Sequence, residues 1–327
     1  MLIVAGALLF AGLVTCLVGA GVARAAGDPL FAAALEEGKG YRYTFEDGAP
    51  NKISLDVTDA AIYVTGGAPE SYMEIVNFNE NLYTFTQSRA VVTFHESPDL
   101  SSLTRFWESG FTFKGLRYIL RLRPRNLPKS IHIYLTDEDA LTCLEVKATG
   151  GSIMVENLST DTDYLFTLQS GSVVMANVHT GSALSVDAAG SVDAAGSHAC
   201  NVTLTDVNAH LLSLALLTGD VKATGLSVYE GSVDIAEGSV TAEYVPTEEL
   251  YTVSASTKGK LSVNEESFID EYTFTTKDPD AEPAPDGEDG EDAPPEETFT
   301  VTARDAAIYL TLPAQSVPAD DSADEGQ

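Results

Sequence analysis

One short phrase recurs through residues 141–244 and constrains the fold more than any other feature of the chain. A glycine is followed by a small polar residue and then by alternating apolar positions. The copies begin at Gly151, Gly171, Gly190, Gly219, Gly231 and Gly238. Self-similarity of this kind is typical of stacked architectures, in which each unit buries its apolar face only against its neighbours.

The repeated units have the pattern of β-strands. Every second residue is apolar, as in Leu144, Val146 and Ala148, and this period buries one face of a strand. Stacking about five to seven units at ~4.8 Å per layer gives a core roughly 25–35 Å long. We therefore predict an all-β fold with a β-solenoid, or β-helix-like, stack of short strands. A β-sandwich of many short strands is the alternative.

The residues that lead into the repeat resemble those of a known family. Residues 127–135 read LPKSIHIYL and precede the glycine-headed strands. Over about residues 115–265 the chain resembles the bacterial "putative adhesin" family of β-strand-repeat proteins. Serine mostly replaces the aspartate that follows glycine in that family, and only Gly219-Asp220 keeps it. The resemblance implies a surface-exposed β-solenoid and brings no catalytic residues.

The segment from Met1 to Ala23 contains no charged side chain. As a helix it would span about 34 Å, enough to cross a bilayer. We predict a single transmembrane helix in residues 1–26, which leaves the bulk of the chain outside the cytoplasm. A cleaved signal peptide, and hence a secreted protein, is the alternative, because Ala23-Arg24-Ala25 fits a cleavage site.

Composition divides the rest of the chain. Aromatic residues concentrate before residue 128, whereas alanine, valine and serine dominate after residue 150. Aspartate, glutamate, proline and glycine fill residues 278–297, and such a segment cannot bury enough apolar surface to become ordered. The predicted parts are a membrane anchor or signal segment (1–26), a β-rich lead-in module (28–128), the solenoid (129–276), a disordered acidic linker (277–297), a C-terminal strand pair (298–313) and a disordered tail (314–327).

An identical pentapeptide, Asp-Ala-Ala-Ile-Tyr, stands at residues 59–63 and at residues 305–309. Both copies have strand-like surroundings. We expect the two copies to occupy equivalent positions in one layered fold.

The charge distribution excludes some partners and suggests one site. A net charge of −31 repels nucleic acid and anionic lipid. Leucines alternate with Arg117, Arg121 and Arg123, which places the three arginines on one strand face. This arginine stripe is a candidate anion-binding site, because guanidinium groups bind carboxylates, phosphates and sulfated sugars. Pairing with the protein's own acidic residues is the alternative.

Catalytic and metal-binding motifs are missing from the sequence. The histidines form no i, i+4 pair, and the serines lie outside any G-x-S-x-G elbow. Cys143 and Cys200 either form a disulfide or remain two separate thiols. We therefore predict no catalytic residue, no metal and no cofactor.

These observations favour a noncatalytic protein anchored in the cell envelope, an adhesin or a surface scaffold. Its predicted partners are cell-surface glycans or other envelope proteins. A polysaccharide-active β-helix enzyme, such as a lyase, is one alternative. An accessory protein of envelope-stress signalling is another, and it rests on the family resemblance.

Overall fold

The computed structural model describes residues 40–45, 50–78, 83–88, 90–96, 128–136, 141–188, 199–248, 250–276 and 296–313. Within these ranges the chain is all-β, as predicted, and contains no helix that could cross a membrane. The predicted anchor, the arginine stripe, most of the acidic linker and the tail lie outside them. The strands are β1 Gly40–Thr44, β2 Lys52–Thr65, β3 Tyr72–Val76, β4 Tyr83–Ser88, β5 Val91–Glu96, β6 Ser130–Tyr134, β7 Cys143–Ser159, β8 Asp163–Leu168, β9 Gly171–Ala188, β10 Cys200–Tyr244, β11 Tyr251–Thr257, β12 Leu261–Val263, β13 Glu266–Phe268, β14 Glu271–Thr275, β15 Glu297–Ala303 and β16 Ala307–Thr311.

All of these strands belong to one continuous sheet around one core. β2 pairs in parallel with β7 from Lys52 opposite Cys143 to Thr65 opposite Glu156. The buried apolar side chains form one cluster that extends from Phe45 to Leu312. The composition change near residue 128 therefore does not interrupt the sheet, because residues on both sides of it share the same strand ladder.

The chain winds in coils whose strand segments lie on three faces. Face 1 contains the parallel segments 61–65, 152–156, 172–176, 201–205 and 239–243, together with β6, β12 and β16. Face 2 contains segments 52–57, 143–148, 163–168, 183–188, 211–216 and 230–235, together with β5, β11 and β15. Face 3 is shorter and contains segments 158–159, 178–180 and 207–209.

The repeated glycines mark the corner between face 2 and face 1. Gly151, Gly171, Gly219 and Gly238 have φ values between 107° and 146°, a region that side chains rarely adopt. A Cβ atom at Gly171 would overlap the carbonyl of Gly151, and one at Gly238 would overlap the carbonyl of Gly219. Glycine is needed at this corner because successive coils approach closely there.

Two copies of the phrase do not head a coil in this way. Gly190 lies outside the described residues, and Cys200 is the residue that pairs with Gly171. Gly231 lies on face 2 opposite Phe299, so the prediction that it heads a unit is wrong. When Gly231 is not counted as a corner, the last three corner positions are evenly spaced along the chain. They are Cys200, Gly219 and Gly238.

Asparagine and aspartate residues form the corner between face 1 and face 3. Asn157, Asn177 and Asp206 have φ values of 56°, 53° and 51°, and Asn and Asp tolerate this left-handed conformation better than most residues. The Asn177 side chain donates a hydrogen bond of 2.9 Å to that of Asn157 on the preceding coil. This contact ties neighbouring coils together at the turn.

At each end one coil is interleaved between strands that are distant in sequence. On face 1 the strand order is β3-β6-β2-β7 at the N-terminal end and β10-β16-β12-β13 at the C-terminal end. On face 2 the corresponding orders are β4-β5-β2-β7 and β10-β15-β11-β14. The strands β2 and β16 that carry the two pentapeptides therefore occupy equivalent layers, with Ile62 and Ile308 both fully buried.

The predicted C-terminal strand pair corresponds to β15 and β16. β15 begins at Glu297, a residue that the sequence analysis assigns to the linker. β15 and β16 do not form a hairpin, because each pairs in parallel with β10 on one side and with β11 or β12 on the other.

Antiparallel strands with aromatic side chains close both ends of the core. β1 and β4 lie at the N-terminal end, and β13 and β14 lie at the C-terminal end. Tyr43 stacks on Phe85 with 4.0 Å between ring centroids, and Phe268 meets Tyr272 at 4.8 Å. These rings pack against the core, so the last apolar layer at each end is covered.

Candidate binding pocket

A polar pocket of about 380 Å³ opens on face 3. Three coils supply its lining, because the register places Ser159 beside His179 and His179 beside Asn208. The full lining is Ser159, Thr160, Asp161, His179, Thr180, Gly181 and Asn208. The ladder therefore brings the hydroxyl of Ser159 and the carboxylate of Asp161 together with an imidazole and an amide from later coils.

Buried threonines support the pocket from below. The hydroxyls of Thr160 and Thr162 are 2.5 Å apart, and that of Thr162 donates to the Leu141 carbonyl at 2.6 Å. The Thr180 hydroxyl donates to the Thr162 carbonyl at 2.9 Å. Because these side chains are buried and hydrogen-bonded, the corner beneath the pocket is fixed rather than adaptable.

Asp161 is held at the rim by the next coil. Its Oδ1 accepts a hydrogen bond of 3.2 Å from the amide of Gly181. A Cβ atom at position 181 would overlap this carboxylate, so glycine leaves the space that the carboxylate occupies. The neighbouring Asp163 accepts from the Ala183 amide at 3.2 Å and from the Ser182 hydroxyl. Both acids therefore connect consecutive coils at this corner.

A row of aromatic side chains on face 1 is the second surface of interest. Tyr63 stacks on His132 at 4.6 Å, and Tyr72 stacks on Tyr134 at 4.5 Å between ring centroids. The guanidinium of Arg42 lies 3.7 Å from the Tyr72 ring centroid. The rings cover one another's faces, so this row suits stabilisation of the N-terminal coils better than stacking against a sugar ring.

The structure tests only some of the residues singled out from the sequence. Arg117, Arg121 and Arg123 lie outside the described residues, so the anion-binding stripe stays a prediction. Within the described ranges, no group of three or more histidines, cysteines or acids is arranged to hold a metal ion. Cys143 and Cys200 are separate free thiols. Burial raises the pKa of the Cys200 thiol to about 11, which makes it a poor nucleophile.

Sequence reasoning missed the pocket because it treated the histidines as scattered. The signal that could have found it is the coil length, since the step from Ser159 to His179 equals the step from Gly151 to Gly171. The step from His179 to Asn208 likewise equals the step from Gly171 to Cys200. Alignment of residues at the corner spacing would have placed all three lining residues in one column.

Three solved structures show a weak similarity to this chain. A crystal structure named a "putative adhesin" from Bacteroides fragilis is 14% identical, with 85% of this chain and 97% of that chain covered and a TM-score of 0.41. One named a "putative adhesin" from Parabacteroides merdae is 12% identical, with 84% and 96% covered and a TM-score of 0.34. One named a "putative cell adhesion protein" from Clostridium sporogenes is 13% identical, with 84% and 99% covered and a TM-score of 0.31.

No curated protein matches the chain at a significant level. A family match covers residues 125–283 and is described as Toastrack DUF4097. It begins just before β6 and ends after β14, so it includes the glycine corners and the pocket on face 3. The resemblance found in the sequence is thereby confirmed at the level of the domain, because residues 125–283 match the model of Toastrack DUF4097, a domain of unknown function.

Proposed function

We propose that the protein is a noncatalytic adhesin that binds a neutral carbohydrate in the pocket on face 3. The observation that carries the proposal is the convergence of Asp161, His179 and Asn208 at one rigid corner. Sugar hydroxyls both donate and accept hydrogen bonds, and these three side chains together offer acceptors and donors.

The charge of the protein restricts the carbohydrate. A net charge of −31 disfavours sulfated or sialylated sugars at an acidic rim. The ligand class is therefore a neutral sugar. The arginine stripe at Arg117, Arg121 and Arg123 remains the predicted location for any anionic ligand.

A binding role is favoured over turnover by the orientation of Asp161. Hydrolysis of a glycosidic bond uses two carboxyl groups that flank the bond, whereas the lining of this pocket contains one, that of Asp161. Asp161 instead accepts the backbone amide of Gly181 at 3.2 Å, which fixes the carboxylate for structural use. A polysaccharide-active enzyme remains the alternative that the experiment below separates.

Glycan microarray screening of the purified protein, followed by calorimetry on the strongest ligand, tests the proposal. We expect His179→Ala and Asn208→Ala each to weaken binding about three- to tenfold, since each removes a hydrogen bond worth about 1 kcal/mol. His210→Ala is the matched control, because His210 is exposed and stacks on Tyr229 outside the pocket. Equal binding by all three variants refutes the pocket, and glycan turnover that depends on His179 establishes an enzyme.

We also propose that residues 1–26 anchor the protein in the membrane and leave the solenoid extracytoplasmic. The support is the uncharged run of residues 1–23. Fractionation of cells that express the full chain should place it in the membrane fraction after a high-salt wash. Mass spectrometry that finds a mature N-terminus at Ala26 would show a secreted protein instead.

A further inference from the structure

The outward side chains of face 3 form a single file along the stack. Ser159, His179 and Asn208 each lie between two buried residues, so each of these coils presents one side chain on this face. The ladder places the three side chains beside one another. Because neighbouring strands are about 4.8 Å apart, the file is about 10 Å long from Ser159 to Asn208.

The file is accessible at one end and closed at the other. Gly225 lies over Asp206 on the preceding coil, with 2.6 Å between a Cβ atom at Gly225 and the Asp206 carboxylate. Ser227 is therefore the next residue in the file after Asn208. Ser159 is exposed and Asn208 is half-buried, whereas Ser227 is only 9% exposed. A ligand that lies along the file therefore enters over Ser159 and ends beside Asn208.

Polar groups also flank the file. Asn157 and Asn177 stand at the corner with face 1, where their side chains are joined by the hydrogen bond of 2.9 Å. On the other side lies the carboxylate of Asp161, which accepts a hydrogen bond from the amide of Gly181. Hydrogen-bonding groups therefore stand on both sides of a ligand that follows the file.

The dimensions of the file suit a linear polymer better than a compact molecule. In an extended β-1,4-linked polysaccharide each pyranose unit advances the chain by nearly one coil spacing, and its hydroxyls project to both sides of the chain. Two units therefore cover the distance from Ser159 to Asn208, with one unit over each step between coils. A neutral chain also carries no charge that the acidic rim would repel.

We propose that the pocket binds the last two units of an unbranched, neutral β-1,4-linked polysaccharide that runs parallel to the axis of the stack. The terminal unit lies between His179 and Asn208, and the second unit lies between Ser159 and His179. A single sugar binds at the terminal position, where the half-buried Asn208 closes the file. This inference rests on the proposed carbohydrate-binding function and adds to it the linkage, the length and the direction of the ligand.

Calorimetry on the purified full chain with sugars of increasing length tests the proposal. The probes are glucose, cellobiose and cellotetraose, with N-acetylglucosamine, chitobiose and chitotetraose as a second series. In at least one series the disaccharide should bind about tenfold more tightly than the single sugar, because the second unit adds hydrogen bonds. The tetrasaccharide should bind no more than about twofold more tightly than the disaccharide, because the file ends after two units.

Ser159→Ala separates the two sugar positions. It should weaken binding of the disaccharide about three- to tenfold and leave binding of the single sugar unchanged, because only the second unit reaches Ser159. Asn208→Ala should weaken binding of both. Ser185→Ala is the matched control, because this serine lies on face 2 opposite Leu165 and its loss should change neither affinity.

A bulky group attached to one end of the tetrasaccharide tests the closed end of the file. Attachment at one end of the sugar chain should abolish binding, and attachment at the other end should not, because only one end lies beside Asn208. Equal binding of the two tagged forms overturns the placement of the chain end.

The outcomes separate this inference from the function on which it rests. Equal affinities for the single sugar and the disaccharide, or no binding in either series, overturn the inference. Binding of a different neutral glycan that depends on His179 and Asn208 would then leave the proposed function standing. Absence of binding to every neutral glycan on the microarray overturns both.

Discussion

At the N-terminal end of the solenoid the interleaved coil is β2, and at the C-terminal end it is β15 with β16. Both coils carry the Asp-Ala-Ala-Ile-Tyr pentapeptide. On each of faces 1 and 2, both are followed towards the end of the stack by one parallel strand and then by one antiparallel strand. The chain order is opposite, because β2 precedes the strands that cover it, whereas β15 and β16 follow theirs. One layered arrangement is thus reached by two routes of the chain.

The two ends also differ in how a buried carboxylate is satisfied. Glu96 at the N-terminal end accepts from Lys129 at 2.7 Å and from the amide and hydroxyl of Thr58 at 2.9 and 2.7 Å. Glu297 at the C-terminal end accepts only uncharged donors among the described residues. Burial, and then the hydrogen bond to Glu297, raises the pKa of Tyr244, which keeps its hydroxyl protonated as a donor. Removal of the carboxylate should therefore have different consequences at the two ends.

The largest expected effect comes from a charge placed in each interleaved coil. Ile62→Asp and Ile308→Asp each bury an unpaired carboxylate at a position that is 0% exposed, at a cost of about 4 kcal/mol or more. Ile62→Asp should unfold the whole solenoid, because β7 stacks on β2. Ile308→Asp should release only its own coil, β15 and β16, together with residues 251–276, and hydrogen exchange measured by mass spectrometry distinguishes the two patterns. Loss of hydrogen-exchange protection throughout the chain in both variants would contradict the expected difference between the two ends. Ile→Val at each site, which should cost about 1 kcal/mol of stability, is the control.

The second effect separates the two carboxylates. Glu297→Ala removes the carboxylate that accepts from the buried Tyr244 hydroxyl and from the amides of Thr247 and Glu248, which should cost about 2–4 kcal/mol. Glu96→Ala should cost about 1–2 kcal/mol, since the Lys129 side chain is 23% exposed and can turn to water. Urea unfolding of both variants measures the difference. A larger loss of unfolding free energy for Glu96→Ala would show that the ion pair with Lys129 stabilises the protein more than the hydrogen bonds to Glu297 do.

The third effect concerns the glycine that neighbours each pentapeptide. Gly151 lies over the Ala60 carbonyl with φ at 107°, whereas Gly259 lies over the Ala306 carbonyl without a positive φ. Gly151→Ala combines overlap with backbone strain and should cost about 2–3 kcal/mol, against about 1 kcal/mol for Gly259→Ala. Gly40→Ala is the control, because its Cβ would meet Val76 at an ordinary 3.5 Å. Equal melting temperatures for Gly151→Ala and Gly259→Ala would show that the positive φ at Gly151 adds no cost.

The smallest effect is a pH dependence confined to the N-terminal end. Hydrogen bonds from Lys147 and Lys52 lower the pKa of Glu145 from 4.5 to about 2. A lowered pKa contributes stability that is complete above pH 4.5 and is lost as the pH falls towards 2. The loss should not exceed about 1 kcal/mol, because the pair lies at the surface. Glu145→Gln should lose this part of the acid sensitivity in thermal melts across the acid range, and an unchanged pH profile would contradict the assignment.

Much of the fold was predictable because it depends on local spacing. The alternation of apolar residues is regular along the chain, and the glycines at positions 151, 171, 219 and 238 confirm the predicted corner. The pentapeptide pointed correctly to equivalent layers. The interleaving was not predictable, because nothing local in residues 297–311 shows that they insert before β11 rather than after it.

The candidate site was less predictable than the fold. Asp161, His179 and Asn208 meet only because the coils are in register, and the longer step from His179 to Asn208 hides that register in the sequence. The prediction that Gly231 heads a coil was wrong for a related reason. Its Gly-Ser-Val phrase matches the corner copies, but its place opposite Phe299 on face 2 depends on the distant β15.

The place of β15 and β16 gives the protein a dependence on the order of synthesis. A ribosome produces β11 to β14 before it produces β15 and β16, the strands on which they pack. These four strands therefore cannot join the sheet until residue 312 has emerged. A chain that ends before residue 297 exposes the edge of β10 and leaves β11 to β14 without the strands on which they pack. We expect proteases to cut such a chain more readily than one that contains β15 and β16. The last two strands thus decide whether β11 to β14 join the sheet, and limited proteolysis of chains that end before or after residue 312 would measure this dependence.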